Sequence, residues 1–178
     1  MRYLKELVVV LSLLLVAHFA TAQSNYKTGI GLRLGPMYGF TIKHFVSDKV
    51  ALEGLITTGY YGRGVGPGPW GRGGWYGNPG ALFTGLAEWH FPIGNVRGFN
   101  WFIGGGFHFG VLGGYDDHPV FPEDRSYILT GLDFIGGVEY TLANAPFTFQ
   151  ADFKPSFHLI EYFGVWYNEF ALTARYTF

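Results

Sequence analysis

Asn168-Glu169-Phe170-Ala171-Leu172-Thr173-Ala174-Arg175-Tyr176-Thr177-Phe178, the last eleven residues of the sequence, decides how the rest is read. Phe170, Leu172, Ala174, Tyr176 and Phe178 alternate with Glu169, Ala171, Thr173, Arg175 and Thr177. In an extended chain successive side chains point to opposite sides, so this pattern specifies a strand with two unlike faces. One face is continuously apolar, and the other carries both charges.

Composition fits a barrel whose outside meets lipid. Aromatic residues make up 20% of the 178 residues and charged residues only 14%, with 28 glycines. A soluble domain needs more charge than this to solvate its surface, whereas a lipid-facing barrel needs little charge and many aromatics at its two interfaces. A soluble eight-stranded barrel of the lipocalin kind would invert the pattern, with apolar residues inside and charges outside. The net charge of −1 argues against nucleic acid as a partner. The absence of cysteine excludes disulfides and thiolate metal sites.

Met1–Ala22 reads as a secretory signal peptide. Arg2 and Lys5 form a basic start, Leu7 to Ala17 an apolar core, and Ala20-Thr21-Ala22 a small-residue cleavage pattern. Cleavage before Gln23 leaves residues 23–178 as the barrel. The leader's apolar run is too short for a membrane helix, and no later run is long enough for one. A membrane-embedded form of this chain must therefore be a closed barrel.

The preceding sequence supplies seven more alternating runs: Lys27–Gly35, Tyr38–Val46, Val50–Tyr60, Ala81–Phe91, Phe99–Gly110, Ser126–Leu142 and Phe147–His158. Runs of about ten residues suit tilted strands crossing a bilayer. The connections after the second, fourth and sixth runs are short, and those after the third and fifth, Tyr61–Gly80 and Val111–Arg125, are long. Ile160–Tyr167 is intermediate, and the step at Pro36 is brief. Such asymmetry predicts short periplasmic turns, long external loops and both termini in the periplasm. Pro155, which lacks a ladder donor, predicts a bulge or strand end within the seventh run.

A terminal strand ending on phenylalanine resembles the assembly signal of bacterial outer-membrane β-barrels. Gly31-Leu32-Arg33-Leu34-Gly35, Lys43-His44-Phe45, Leu52-Glu53-Gly54, Asp152-Phe153-Lys154-Pro155-Ser156-Phe157 and Arg175-Tyr176-Thr177-Phe178 resemble the small outer-membrane barrels of Bacteroidetes-type bacteria. The resemblance implies an all-β, eight-stranded antiparallel up-and-down transmembrane barrel in the bacterial outer membrane. It also implies that Phe170, Leu172, Tyr176 and Phe178 are read by the barrel-assembly machinery. Outer-membrane lipids are the expected surroundings and a monomer the expected state. It implies no particular activity.

The predicted inner face gathers Arg33, Lys43, Glu53, Glu88, His90, His108, Asp133, Glu139, Asp152, Lys154, His158 and Arg175. Apart from the histidines these are five acids and four bases. In a narrow barrel such side chains fill the interior and pair, because an unpaired buried charge is costly. A narrow channel for small solutes is the rival reading. Glu88 and His90 share a face and His108 lies on the next strand, a combination that can bind a metal or exchange protons. The serines Ser24, Ser47, Ser126 and Ser156 sit in no nucleophile motif, so a lipid-modifying enzyme is the weakest reading. No catalytic residue, metal or cofactor is expected.

Tyr61–Gly80 holds nine glycines and three prolines around Arg63, Trp70, Arg72 and Trp75. No helix follows to make a phosphate cradle, so a surface loop is expected. Its arginines and tryptophans are the residue types favoured at contacts with a polysaccharide or protein partner. Asp116-Asp117-His118 and Glu123-Asp124 make the next loop acidic, in a spacing that fits no calcium loop.

Overall fold

A computed structural model describes residues 26–62, 75–113, 125–161, 163–166 and 169–178. Ten strand segments follow one another: β1 Thr28–Leu34, β2 Met37–Phe45, β3 Val50–Gly62, β4 Trp75–Pro92, β5 Phe99–Gly113, β6 Ser126–Thr141, β7 Phe147–Phe153, β8 Ser156–His158, β9 Gly164–Trp166 and β10 Phe170–Thr177. They make eight barrel staves, because β7 with β8 and β9 with β10 are each one interrupted strand. Every pairing is antiparallel, and β1 closes on β10 through Gly29↔Thr177 to Leu34↔Leu172. The last residue completes the seam: Phe178 N donates to Thr28 O at 2.8 Å, and Thr28 N donates to Phe178 O at 2.9 Å.

The interruptions have sequence causes. β7 and β8 share one register on β6, Gly136↔Phe153 and Asp133↔Ser156, broken at Lys154-Pro155. The Pro155 carbonyl accepts from Phe134 N at 3.0 Å, but proline has no N–H to return the bond. Across the break, β10 pairs with β7 at Phe170↔Phe153 and β9 pairs with β8 at Trp166↔Ser156. Trp166 and Glu169, three apart in sequence, are both buried in the barrel.

Three expected connections are shorter than the sequence suggested. β3 and β4 remain paired through Tyr61↔Tyr76 and Gly62↔Trp75, beyond an irregularity at Thr57/Gly59. Trp75 therefore belongs to a strand. The aromatic pairs Tyr60-Tyr61 and Trp75-Tyr76 favour extended structure and outweigh the intervening glycines. Similarly, β5 and β6 pair out to Gly113↔Ser126, and Gly164–Trp166 returns as a short hairpin strand on β8. Arg63, Trp70, Arg72, Asp116-Asp117-His118, Glu123-Asp124 and Met1–Ala22 lie outside the described residues.

The alternation is turned inside out relative to a soluble protein. Ile30, Leu32, Phe40, Ile42, Phe83, Ile103, Phe107, Phe134, Phe149, Phe170, Leu172 and Phe178 all stand on the outer surface, and each is about half exposed or more. The interior holds charged and hydroxyl side chains together with three apolar clusters. The wall curves tightly: a Cβ on the inward-facing Gly106 would lie 1.8 Å from Gly85 O on β4, so only glycine fits.

Candidate functional site: the polar interior

Arg33, Lys43, Glu53, Glu88, His90, His108, Asp133, Glu139, Asp152, Lys154 and Arg175 all lie inside the barrel, none more than 5% exposed. They form two hydrogen-bonded networks. In the larger one, Lys43 Nζ lies 2.7 Å from Glu88, 3.1 Å from Glu139 and 3.3 Å from Glu53. Arg175 pairs with Glu53 and approaches Glu139 Oε2 at 3.5 Å. Both cations donate to Gln150 Oε1 at 2.7 Å. Thr41 donates to Glu53 at 2.6 Å and accepts from Arg175.

Arg33 grips Asp152 with two contacts of 2.8 Å, the bidentate geometry that makes guanidinium–carboxylate pairs strong. The amide of Gln150 donates to the same Asp152 at 2.8 Å and so ties this pair to the rest. His90 Nε2 lies 3.0 Å from Glu88 Oε2, and its ring stacks on Phe102 with centroids 5.0 Å apart.

The smaller network lies nearer the loop end. Lys154 Nζ is 2.8 Å from both Asp133 and Glu169 and donates to Ser156 Oγ at 2.9 Å. Ser156 donates to Asp133 at 2.6 Å. His108 Nδ1 lies 2.8 Å from Asp133 Oδ2, and its Nε2 lies 2.9 Å from His158 Nδ1. The His158 ring in turn packs against Trp166, centroids 3.6 Å apart.

Glu169 is the charged member that the inner-face reading left out. Its signal was present, since it shares the polar face of the terminal run with Arg175. Thr41, Gln150, Ser156 and Tyr26 are further members that a search for charge alone passes over.

The networks sit between apolar layers. Tyr26, Phe45 and Ala51 pack at the turn end, where the Tyr26 hydroxyl donates to Glu139 at 3.0 Å. Leu55, Leu86, Phe102 and Ile135 form a middle layer. Met37, Leu82, Leu112, Tyr127, Leu129 and Trp166 fill the loop end. The order follows from period two: along β6, Glu139, Ile135, Asp133, Leu129 and Tyr127 point inward in turn. A depression of about 880 Å³ at the turn end includes Tyr26, Asp48 and Arg97 in its lining.

The arrangement separates the residues proposed for metal binding or acid–base work. Glu88 lies opposite Gly104, whereas His108 lies opposite Thr84, so His108 joins Asp133 and His158 rather than His90. Among the described residues no group of three or more histidines or carboxylates could hold a metal ion. Ser156 Oγ is engaged with Lys154 and Asp133, and Ser126 stands exposed at the rim of β6.

Phe170, Leu172, Tyr176 and Phe178 stand on the outer face of β10, each about half exposed or more. Phe147 and Tyr176 meet edge to face across the β7–β10 pair, with centroids 5.8 Å apart.

No protein-family model matches the chain, and no curated protein matches it. The chain is similar in fold to the N-terminal β-barrel domain of Pseudomonas aeruginosa OprF. The TM-score is 0.59 at 18% identity, over 88% of this chain and 98% of that one. Ail, the attachment invasion locus protein of Yersinia pestis, is also similar, at a TM-score of 0.47 and 15% identity over 88% of this chain and 99% of that one. With the geometry above, the likeness to the OprF domain establishes the fold as a closed, eight-stranded antiparallel barrel of the outer-membrane type.

Proposed function

We propose that the chain is an exported, integral outer-membrane barrel whose interior is a closed core, serving envelope architecture or surface contact without catalysis. In this reading it is a monomer of the small Bacteroidetes-type kind, delivered through the leader Met1–Ala22 and inserted by the barrel-assembly machinery. Arg63, Trp70, Arg72 and Trp75 are its contact residues for a surface polysaccharide or a protein partner. The apolar exterior and the fold shared with the OprF barrel domain support the location.

The observation that carries the closed core is the layering. Two buried ion-paired networks lie between apolar layers at the turn end and the loop end. A conducting pore of this width would need a continuous wetted path, which such layers oppose. Reconstitution in planar bilayers tests the reading. No stable conductance step is expected at neutral pH, and a reproducible ion-selective step overturns it.

A further inference from the structure

We propose that the outer wall holds one anionic phospholipid of the inner leaflet, its headgroup at Thr28 and His44 and an acyl chain laid across β3, β4 and β5. The inference rests on the membrane location argued above and begins from register. Outward-facing residues on neighbouring strands line up as Thr28↔His44, His44↔Leu52, Leu52↔Ala87 and Ala87↔Gly105. Thr28 begins β1 at the turn end, whereas Gly105 lies midway along β5. The row therefore climbs from the turn-end interface into the bilayer, as strand tilt in a barrel requires. From His44 to Gly105 it crosses three strand spacings, about 14 Å, close to half of a hydrocarbon core about 30 Å thick.

Along this row the wall is hollowed. Gly54, Gly85, Ala87 and Gly105 floor an outer groove of about 580 Å³, with Ile42 and Phe107 beside it and His44 at its turn-end head. The head is polar: Thr28 Oγ1 lies 2.8 Å from His44 Nδ1. With the hydroxyl donating to Nδ1, the ring carries its N–H on Nε2, a donor for a phosphate oxygen. Lys27 and Lys49 stand at the same end, beside Thr28 and in the β2–β3 turn, and favour an anionic headgroup. Asp48 and Phe178 instead line the depression within the barrel mouth.

Two comparisons within the molecule single this place out. The turn end of the outer wall carries Trp89 on β4, Trp101 on β5, Tyr140 on β6 and Tyr176 on β10, side chains that suit a lipid interface by themselves. On β1 and β2 that belt gives way to Thr28 and His44. A second outer groove of about 420 Å³, beside Phe153, Phe170 and Leu172, has no such head. Asp152, its one ionisable lining residue, is turned inward onto Arg33.

Native mass spectrometry of the folded chain released from detergent micelles tests this, with phosphatidylglycerol or phosphatidylcholine of the same acyl chains added. The wild type should retain one phosphatidylglycerol, about tenfold more tightly than phosphatidylcholine. His44→Leu removes the donor and Gly85→Leu fills the floor, and each should weaken retention about tenfold. Ala151→Leu, a matched change in the second groove, should leave retention unchanged. Equal retention of the two lipids overturns the anionic headgroup, and retention that survives both groove variants overturns the site. Dimers lost on Gly85→Leu would overturn it too, by seating a second copy in the groove. A folded, heat-modifiable barrel that retains no phosphatidylglycerol refutes the lipid site and leaves the membrane barrel standing. Failure of the wild type to insert into vesicles refutes the membrane location itself.

Discussion

Replacing Lys43 by methionine removes the cation at the centre of the larger network while keeping a long, flexible stem. Lys43 is fully buried and lies within 3.3 Å of three carboxylates, Glu53, Glu88 and Glu139. Its Nζ also stands 4.6 Å above the Phe102 ring. Breaking a buried ion pair by deleting one partner costs about 3–5 kcal/mol, because the remaining charge is left uncompensated. Here Arg175 remains to offset part of the charge, while three carboxylates rather than one lose a partner. A loss of about 3–5 kcal/mol is therefore expected, roughly two to four decades in the unfolding constant.

The assay is urea unfolding at neutral pH in lipid vesicles, with Lys27→Met as the exposed control, expected within about 0.5 kcal/mol of wild type. Adding Glu88→Gln to Lys43→Met should recover at least about 1 kcal/mol, since one orphaned carboxylate is neutralised. A loss below about 1 kcal/mol for Lys43→Met would refute the view of the interior as an interlocked core. It would show instead that water reaches these carboxylates.

Gly106→Ala should cost more than about 3 kcal/mol or block folding, because its Cβ would meet backbone at 1.8 Å. The outward-facing Gly85→Ala, whose Cβ would lie 3.7 Å from the Phe107 ring, should be nearly neutral in the same unfolding assay. Deleting Phe178 removes its seam bonds to Thr28 and should lower the yield of heat-modifiable, folded barrel on gels; normal insertion would refute its role in assembly. Tyr26→Phe removes the bond to Glu139 and should destabilise by about 1.5–3 kcal/mol, measurable by urea unfolding.

Much of the fold was legible because period two survives in every stave. The terminal run alone assigns Phe170, Leu172, Tyr176 and Phe178 to one face and Arg175 to the other, and the remaining runs repeat that division. Pro155 was legible for the same local reason: a missing N–H has a consequence wherever a strand is paired. The ends of the staves were harder to read. Glycine-rich flanks such as those of Tyr60-Tyr61 and Trp75-Tyr76 carry no alternation, and only the partner strand reveals that pairing continues.

The interior was half visible. Charges inside an otherwise apolar barrel stand out, but Leu55, Leu86, Phe102 and Ile135 occupy inward positions with the same residue types as the outer face. Their parity is the only cue. Which ion pairs form is a matter of strand order and stagger around the ring, so Glu169 with Lys154, or His108 with His158, could not be read from spacing along the chain.

The seam between β1 and β10 also sets when the core can exist. Arg33 and Asp152 are 119 residues apart, Arg175 and Glu53 are 122, and Lys43 and Glu139 are 96. No contiguous half of the sequence contains any of these pairs. These long-range pairs therefore form late, as the first and last staves are brought together, after closer pairs such as Lys154–Asp133 and Lys154–Glu169. Contacts so distant in sequence make for slow folding. Until that moment the forming sheet carries the unpaired charges of Arg33 and Arg175 and two open edges, a state exposed to wrong pairing and aggregation.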